Sequence, residues 1–310
     1  MKYVGLQTQI WSNNFKSTIL IVAFPMLLLG LTWLFFYFLN YNKDYQADMA
    51  NDQFLRTGPF VIAAVGLWFL IAWFSHNAII RRATGSKPLE RKDNKRVYNL
   101  VENLCISRGM TMPKVNVIED DSLNAFASGI NKKSYTVSLS RGIINKLDDD
   151  ELEAVIAHEL THIRNKDVRL LIISIIFVGI FAFLSEMAFR SLRFGGRKKD
   201  KGGQAVIIIL ALALIGYLLS TLFRFALSRK REYMADAGAV EMTKKPEAMA
   251  NALRKVSQDP RIEAVKRNDV AQMFIENPSE KEKKGFMSSL KGLFATHPPI
   301  EDRIKVLEQF

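Results

Sequence analysis

His158-Glu159-Leu160-Thr161-His162 sets two imidazoles four residues apart, with a carboxylate next to the first. Four residues advance a helix by about 400°. On a helix His158 and His162 therefore share one face and can grip a single metal ion. Glu159 stands about 100° round. That puts it beside the metal rather than on it, the place for a general base acting on a metal-activated water. The chemistry of such a set is hydrolysis. The bland alternative is a surface helix that happens to carry two histidines. Context weighs against it. The chain has four histidines, His76, His158, His162 and His297, and two of them fall here. The stretch Leu152–Ala157 leading into the motif is apolar and helix-favouring.

A catalytic metal site takes three protein ligands and keeps one position open. A second helical stretch, Arg229-Lys230-Arg231-Glu232-Tyr233-Met234-Ala235-Asp236, offers candidates. Glu232 and Asp236 are again four apart and face one way. Glu232 can be the third ligand. Asp236 can accept a hydrogen bond from a ligating imidazole and so fix its tautomer. The alternative for this pair is an ordinary solvated acidic face beside basic residues.

What carries these helices is written in the composition. The chain has 310 residues, a net charge of +12 and 49% hydrophobic residues. Length alone suggests two soluble domains, but the apolar residues are bunched. Ser17–Leu39 holds no charge, nor does Thr57–Ile80 with His76 neutral. Each is about the length that crosses a bilayer. Leu170–Ser185 and Gln204–Phe223 form a weaker pair, a second hairpin that either spans or packs on the domain. A single cysteine, Cys105, excludes an intramolecular disulfide framework and a cysteine-rich zinc module. It reads as a core residue of an amphipathic helix. The basic residues gather beside the apolar runs, and the basic segment 190–203 holds only Phe194 for base stacking. Membrane anchoring, rather than nucleic-acid binding, accounts for the charge. Segment 40–56 has only Lys43 and Arg56, whereas 81–96 has Arg81, Arg82, Lys87, Arg91, Lys92, Lys95 and Arg96. Residues 81 onward are therefore expected on the cytoplasmic side. The basic segment 190–203 pulls the other way if the second hairpin crosses the bilayer.

The polar stretches supply the rest. Asp93–Arg108 reads as an amphipathic helix with Val97, Leu100, Val101 and Leu104 on one face. Lys114–Ile118, Asn124–Ala127 and Ser134–Leu139 read as strands, the last two around a Gly129–Lys132 turn. Asp148–Glu151 opens the motif helix with acidic residues that suit its dipole. Residues 228–260 are expected to be helical, 261–290 a solvated loop, and Ile300–Gln309 a closing helix. The organisation expected is a membrane hairpin over 1–80, with helices about 17–39 and 57–80. The first part of a catalytic domain follows over 81–167, a second membrane or membrane-associated hairpin over 168–227, and the rest of the domain over 228–310.

The chain closely resembles the HtpX-type membrane zinc endopeptidases, relatives of the CaaX prenyl-protease metallopeptidases. The matching stretches are Asn124–Ala127, the Glu151–Asp167 helix with its HELTH core, Ser228–Asp236, and Thr296–Ile304. The apolar segments match in order and spacing. The resemblance implies a mainly α integral membrane protein carrying a cytoplasmic zincin-like α+β metalloprotease domain with a small sheet. It implies one zinc ion on His158, His162 and Glu232, with Glu159 as base and proton shuttle and Asp236 orienting a ligating histidine. Asn124, Ala125, Phe126 and Ala127 resemble an edge strand that holds an extended substrate through backbone hydrogen bonds. His297 is either a donor to the developing oxyanion or a structural histidine capping the last helix. Arg303 is expected as a buried salt-bridge partner, with Asp236 the candidate.

The same resemblance implies protein substrates, membrane or misfolded, cut on the cytoplasmic side of a bacterial inner membrane as part of quality control. The partners implied are those substrates and the lipid bilayer, without nucleic acid. A regulator or homo-oligomer is left open, and 261–290 is the candidate gate. Two other readings stand beside it. A CaaX-type prenyl protease would carry more membrane helices. A non-catalytic membrane scaffold would have no need of Glu159.

Overall fold

The computed structural model describes residues 6–41, 43–194, 201–226, 229–257 and 298–309. In chain order the elements are α1 (Leu6–Leu39), α2 (Gln46–Thr84), β1 (Lys87–Pro88), α3 (Lys95–Ser107) and β2 (Lys114–Ile118). Then come β3 (Ala125–Ser128), β4 (Thr136–Ser140), α4 (Arg141–Lys146), α5 (Asp149–Arg164) and α6 (Asp167–Phe194). The last are α7 (Lys201–Ala226), α8 (Arg229–Thr243), α9 (Pro246–Val256) and α10 (Ile300–Leu307). The chain forms two compact units, one from 15–74 with 173–224, the other from 1–14, 75–172 and 225–310.

The described residues of the first unit are almost all helical and mainly apolar. Ile10–Leu39, Gln46–Thr84 and Asp167–Ser191 are long and apolar enough to cross a membrane, and Ala205–Leu219 is a shorter apolar stretch. Large side chains such as Phe60, Leu67, Ile71 and Phe74 stand exposed on α2, a surface that water would not tolerate and lipid does. Aromatic stacking joins the helices inside the unit. The Phe24 and Phe177 rings lie 4.0 Å apart and nearly parallel, and Phe69 packs on the same Phe177. Segment 40–56 departs from the loop expected of it, because α2 already begins at Gln46. Asp48, Asp52 and Arg56 interrupt the apolar run without interrupting helicity.

The second unit holds a four-stranded sheet in the order β1-β2-β4-β3. β2 and β4 run parallel, and β3 pairs antiparallel with β4, Ala125 opposite Leu139 and Ala127 opposite Val137. The sheet thus inserts β4 between β2 and β3 and leaves β3 on an edge. The turn between β3 and β4 depends on Gly129, whose φ is +114°. A Cβ there would stand 2.5 Å from the Ser134 carbonyl oxygen, so only glycine fits. β1 and α4, too short to show a period, were not foreseen from the sequence. Within the stretch 228–260 expected to be helical, the described residues 229–257 form two helices, broken where Lys244 turns left-handed (φ +60°) and Pro246 opens α9.

α5 is the central helix of this unit, packed between β3 on one side and α8, α9 and α3 on others. Its start is fixed by a capping box. The Glu151 N–H donates to Asp148 Oδ1 at 2.9 Å, and the Asp148 N–H to Glu151 Oε2 at 3.1 Å. Arg96 ties α3 to the approach to α5 by donating to the carbonyls of Ile144 and Leu147 at 2.7 and 2.8 Å.

Candidate metal centre

Because α5 is surrounded, its polar motif is buried except at His162, which is partly exposed. His158 is fully buried and Glu159 is 2% exposed. Burying such groups is costly unless each finds a partner, and the neighbouring helices provide them. α8 lies against α5 closely enough to deliver a carboxylate because position 238 is glycine. A Cβ there would fall 2.4 Å from Thr161 Cγ2.

Three groups converge. His158 Nε2 and His162 Nε2 stand 3.2 Å apart. Glu232 reaches both from α8, Oε2 lying 3.7 Å from His158 Nε2 and Oε1 3.7 Å from His162 Nε2. All the candidate ligand atoms lie within 4.8 Å of one another. Ligand atoms at bond lengths of about 2.0–2.1 Å on a tetrahedral ion are separated by roughly 3.3 Å, close to what is seen. The tautomers fit as well. His158 Nδ1 lies 2.9 Å from Asp236 Oδ1, and His162 Nδ1 3.1 Å from Asp167 Oδ2. A carboxylate at each Nδ1 holds a proton there and aims each Nε2 at the centre, where a metal ion would take the place of a second ring proton. Two Nε2 atoms facing each other beside a carboxylate are a cation site, so these residues fit a divalent metal.

The outer partners differ between the two histidines. Asp236 is clasped by Arg303 from α10, Nε to Oδ2 at 2.8 Å and Nη2 to Oδ1 at 2.7 Å, with the guanidinium fully buried. Arg303 Nη1 also lies 3.8 Å from Glu232 Oε2. Asp167, the partner of His162, is the first residue of α6. The chain reaches it by a left-handed turn at Lys166, φ +61°. In the sequence, Asp167 is assigned no role beyond closing the matched Glu151–Asp167 stretch. The signal was there: Asn165-Lys166 is a helix-ending pair with an acid just beyond it, where a chain turning back can meet the last histidine. Gly238 was likewise missed, since nothing local marks a close helix contact.

Electrostatics follow from burial and these contacts. Burial pulls the His158 imidazole down, but the Asp236 and Glu232 carboxylates outweigh it and lift it to about 9. Burial pushes the Asp236 carboxyl up, yet Arg303 beside it brings the balance below the ordinary carboxylate value. Glu159 goes the other way. Its desolvation raises it, and the opposing histidines and the Ala127 amide do not bring it back down. A buried carboxylate that holds protons more readily than usual, beside a metal site, is suited to acid–base work.

The Ala127 amide belongs to β3. The Ser140 N–H donates to the Asn124 carbonyl at 3.0 Å, so Asn124 and Phe126 face β4 and the backbone groups of Ala125 and Ala127 point outward. Two of those outward donors are engaged: Ala127 N–H with Glu159 and Ala125 N–H with Asn124 Oδ1 at 2.9 Å. Phe126 is fully buried. The structure thus gathers Glu159, His158, His162, Glu232, Asp236, Arg303 and the Asn124–Ala127 segment around one point. His297 lies outside the described residues, as does the 261–290 segment.

Comparison with known proteins agrees with this geometry. The model of peptidase family M48 matches residues 91–310, the stretch that holds every residue of the metal centre. The chain belongs to peptidase family M48. A protease HtpX homolog of Bacteroides fragilis is 58% identical, over the full length of both chains. One from Dictyoglomus thermophilum is 39% identical, over 82% of this chain and 84% of that relative. Among solved structures, the crystal structure of S. mikatae Ste24p aligns with a TM-score of 0.48 at 19% identity. It covers 96% of this chain, which spans 66% of that one. With its apolar helices and its family, this M48 member is a membrane metalloprotease, mainly α with a small mixed sheet.

Proposed function

We propose that this M48 peptidase is a zinc-dependent endopeptidase that cuts membrane or misfolded proteins on the cytoplasmic face of the bilayer, in protein quality control. The observation that carries the reading is the convergence of His158 Nε2, His162 Nε2 and the Glu232 carboxylate next to buried Glu159. Two nitrogens and one carboxylate oxygen are the ligand set of a hydrolytic zinc site with a position left open. The Lys and Arg residues of 81–96 support the cytoplasmic side.

Zinc, when bound, acts as a Lewis acid and lowers the pKa of water toward about 7. The protein's own groups do the rest. Glu159 takes a proton from the attacking water and hands it to the leaving amine nitrogen as the peptide bond breaks. Its raised proton affinity suits it to both halves of that transfer. Asp236 and Asp167 hold the Nδ1 protons of the two imidazoles, so neither ring can turn its lone pair away. Arg303 keeps the buried Asp236 carboxylate charged.

The test is the full chain in detergent, wild type against Glu159→Gln. Both should carry about one zinc. Cleavage of an unfolded membrane-protein substrate should fall by about 10²–10⁴-fold in the variant. Absence of zinc from the wild type, or equal cleavage by the variant, would sink the reading.

A further inference from the structure

We propose that Asn13 is a positioning residue for the metal centre, acting through Asp167 on the ligand His162; the inference rests on the zinc reading above. Asn13 sits near the start of α1, 154 residues away in sequence, and is 1% exposed. Its Nδ2 donates to Asp167 Oδ1 at 2.6 Å and to the Asn165 carbonyl oxygen at 2.8 Å. One side-chain amide therefore grips both the carboxylate and the backbone that closes α5. Asp167 is itself 3% exposed, and its other oxygen meets His162 Nδ1. The route is continuous: Asn13 amide, Asp167 carboxylate, His162 imidazole, metal face.

The arrangement is informative because of its asymmetry. On the His158 side the orienting carboxylate is clamped by a buried guanidinium. On the His162 side the described clamp on the carboxylate is a neutral amide. A neutral donor fixes the carboxylate in place without drawing off its charge as a cation does. Asp167 can then hold the His162 Nδ1 proton firmly and leave Nε2 a strong donor to the metal. Asn13 also comes from a helix remote in sequence, so the first turns of α1 are part of the site.

Zinc affinity of the full chain in detergent, measured by competition with a chromophoric chelator, tests this separately from activity. Asn13→Ala should weaken zinc binding by about tenfold, at the lower end of the range for outer partners of a ligand. Asp167→Ala should weaken it by about 10–100-fold. Because Asn13 acts through Asp167, adding Asn13→Ala to Asp167→Ala should cost no more than about twofold further, the signature of coupled sites. A merely structural asparagine would lower the unfolding temperature of the zinc-free protein yet leave zinc affinity within twofold. That result, or equal losses in both backgrounds, overturns the proposal. Asn13→Leu, of similar size without the donors, repeats the measurement should the alanine variant fail to fold. Loss of fold in both makes Asn13 a folding residue and also overturns it. A wild type that binds no zinc is a different failure, that of the zinc reading itself.

Discussion

Arg303 and Asp236 meet through two parallel hydrogen bonds, 2.8 and 2.7 Å long, with both side chains buried. The pair links α10 to the carboxylate that touches His158. Breaking a buried pair leaves an uncompensated charge, which costs about 3–5 kcal/mol. Arg303→Met should lower the unfolding temperature and release metal. Adding Asp236→Asn removes the stranded charge, so the double variant should recover much of the stability, though not full metal affinity. Thermal unfolding in detergent with metal analysis decides it. A double variant as unstable as the single one would mean that lost packing, not stranded charge, is the cause.

Gly238→Ala should push α8 away from α5. The new Cβ would stand 2.4 Å from Thr161 Cγ2 and 2.7 Å from its Oγ1. Thr161 is buried and its hydroxyl donates to the Ala157 carbonyl oxygen, so it cannot easily move aside. Overpacking of this kind costs about 1–3 kcal/mol, and Glu232 should lose its reach to both histidines. Pairing the change with Thr161→Ala leaves only the Cβ contact at 3.1 Å. That double variant should regain zinc affinity. No recovery would show that the glycine matters for some other reason.

Chelation should abolish cleavage, and added zinc should restore it. A ligand that binds only the folded state at 1,000 times its Kd stabilises by about 4 kcal/mol. Stripping the metal should therefore also lower the unfolding temperature. An unfolding curve indifferent to chelator would count against a metal bound by α5 and α8 together.

Cys105 is 2% exposed on α3, and burial pushes its thiol up from 9.0 to about 11. Iodoacetamide at pH 8 should leave it unmodified in the native protein and label it in denaturant. The sign for stability is fixed by the same shift. Below pH 9 both states hold the proton and the contribution is complete. As pH rises from 9 through about 11 the unfolded chain ionises first, and stability is lost. Cys105→Ala should lose less stability across that window, as alkaline unfolding curves will show.

Some of this was legible because it is local. The His158–His162 and Glu232–Asp236 spacings are helical arithmetic, and the acids of Asp148–Glu151 announce a helix start. The three longer strands fell within two residues of their observed ends, since alternation needs only neighbours. The Arg303–Asp236 contact was anticipated through resemblance, and no spacing rule reaches across it. Asn13, Asp167 and Gly238 were not found. Asn13 and Gly238 owe their importance to partners distant in the chain. Asp167 needs the left-handed Lys166 to swing it under His162. α2 starts earlier than the apolar run it carries, because charge marks the end of an apolar run and not the end of a helix.

Completion of the site is tied to the order of synthesis. Asn13 and Asp167 are 154 residues apart, and Asp236 and Arg303 are 67 apart. A chain made from its N-terminus holds the HExxH helix long before α8 brings Glu232, and waits longer for the guanidinium that neutralises Asp236. Until α10 emerges, the Asp236 carboxylate lacks the Arg303 guanidinium that clasps it, and burying it without that partner is costly. The site therefore takes its final form only when α10 docks.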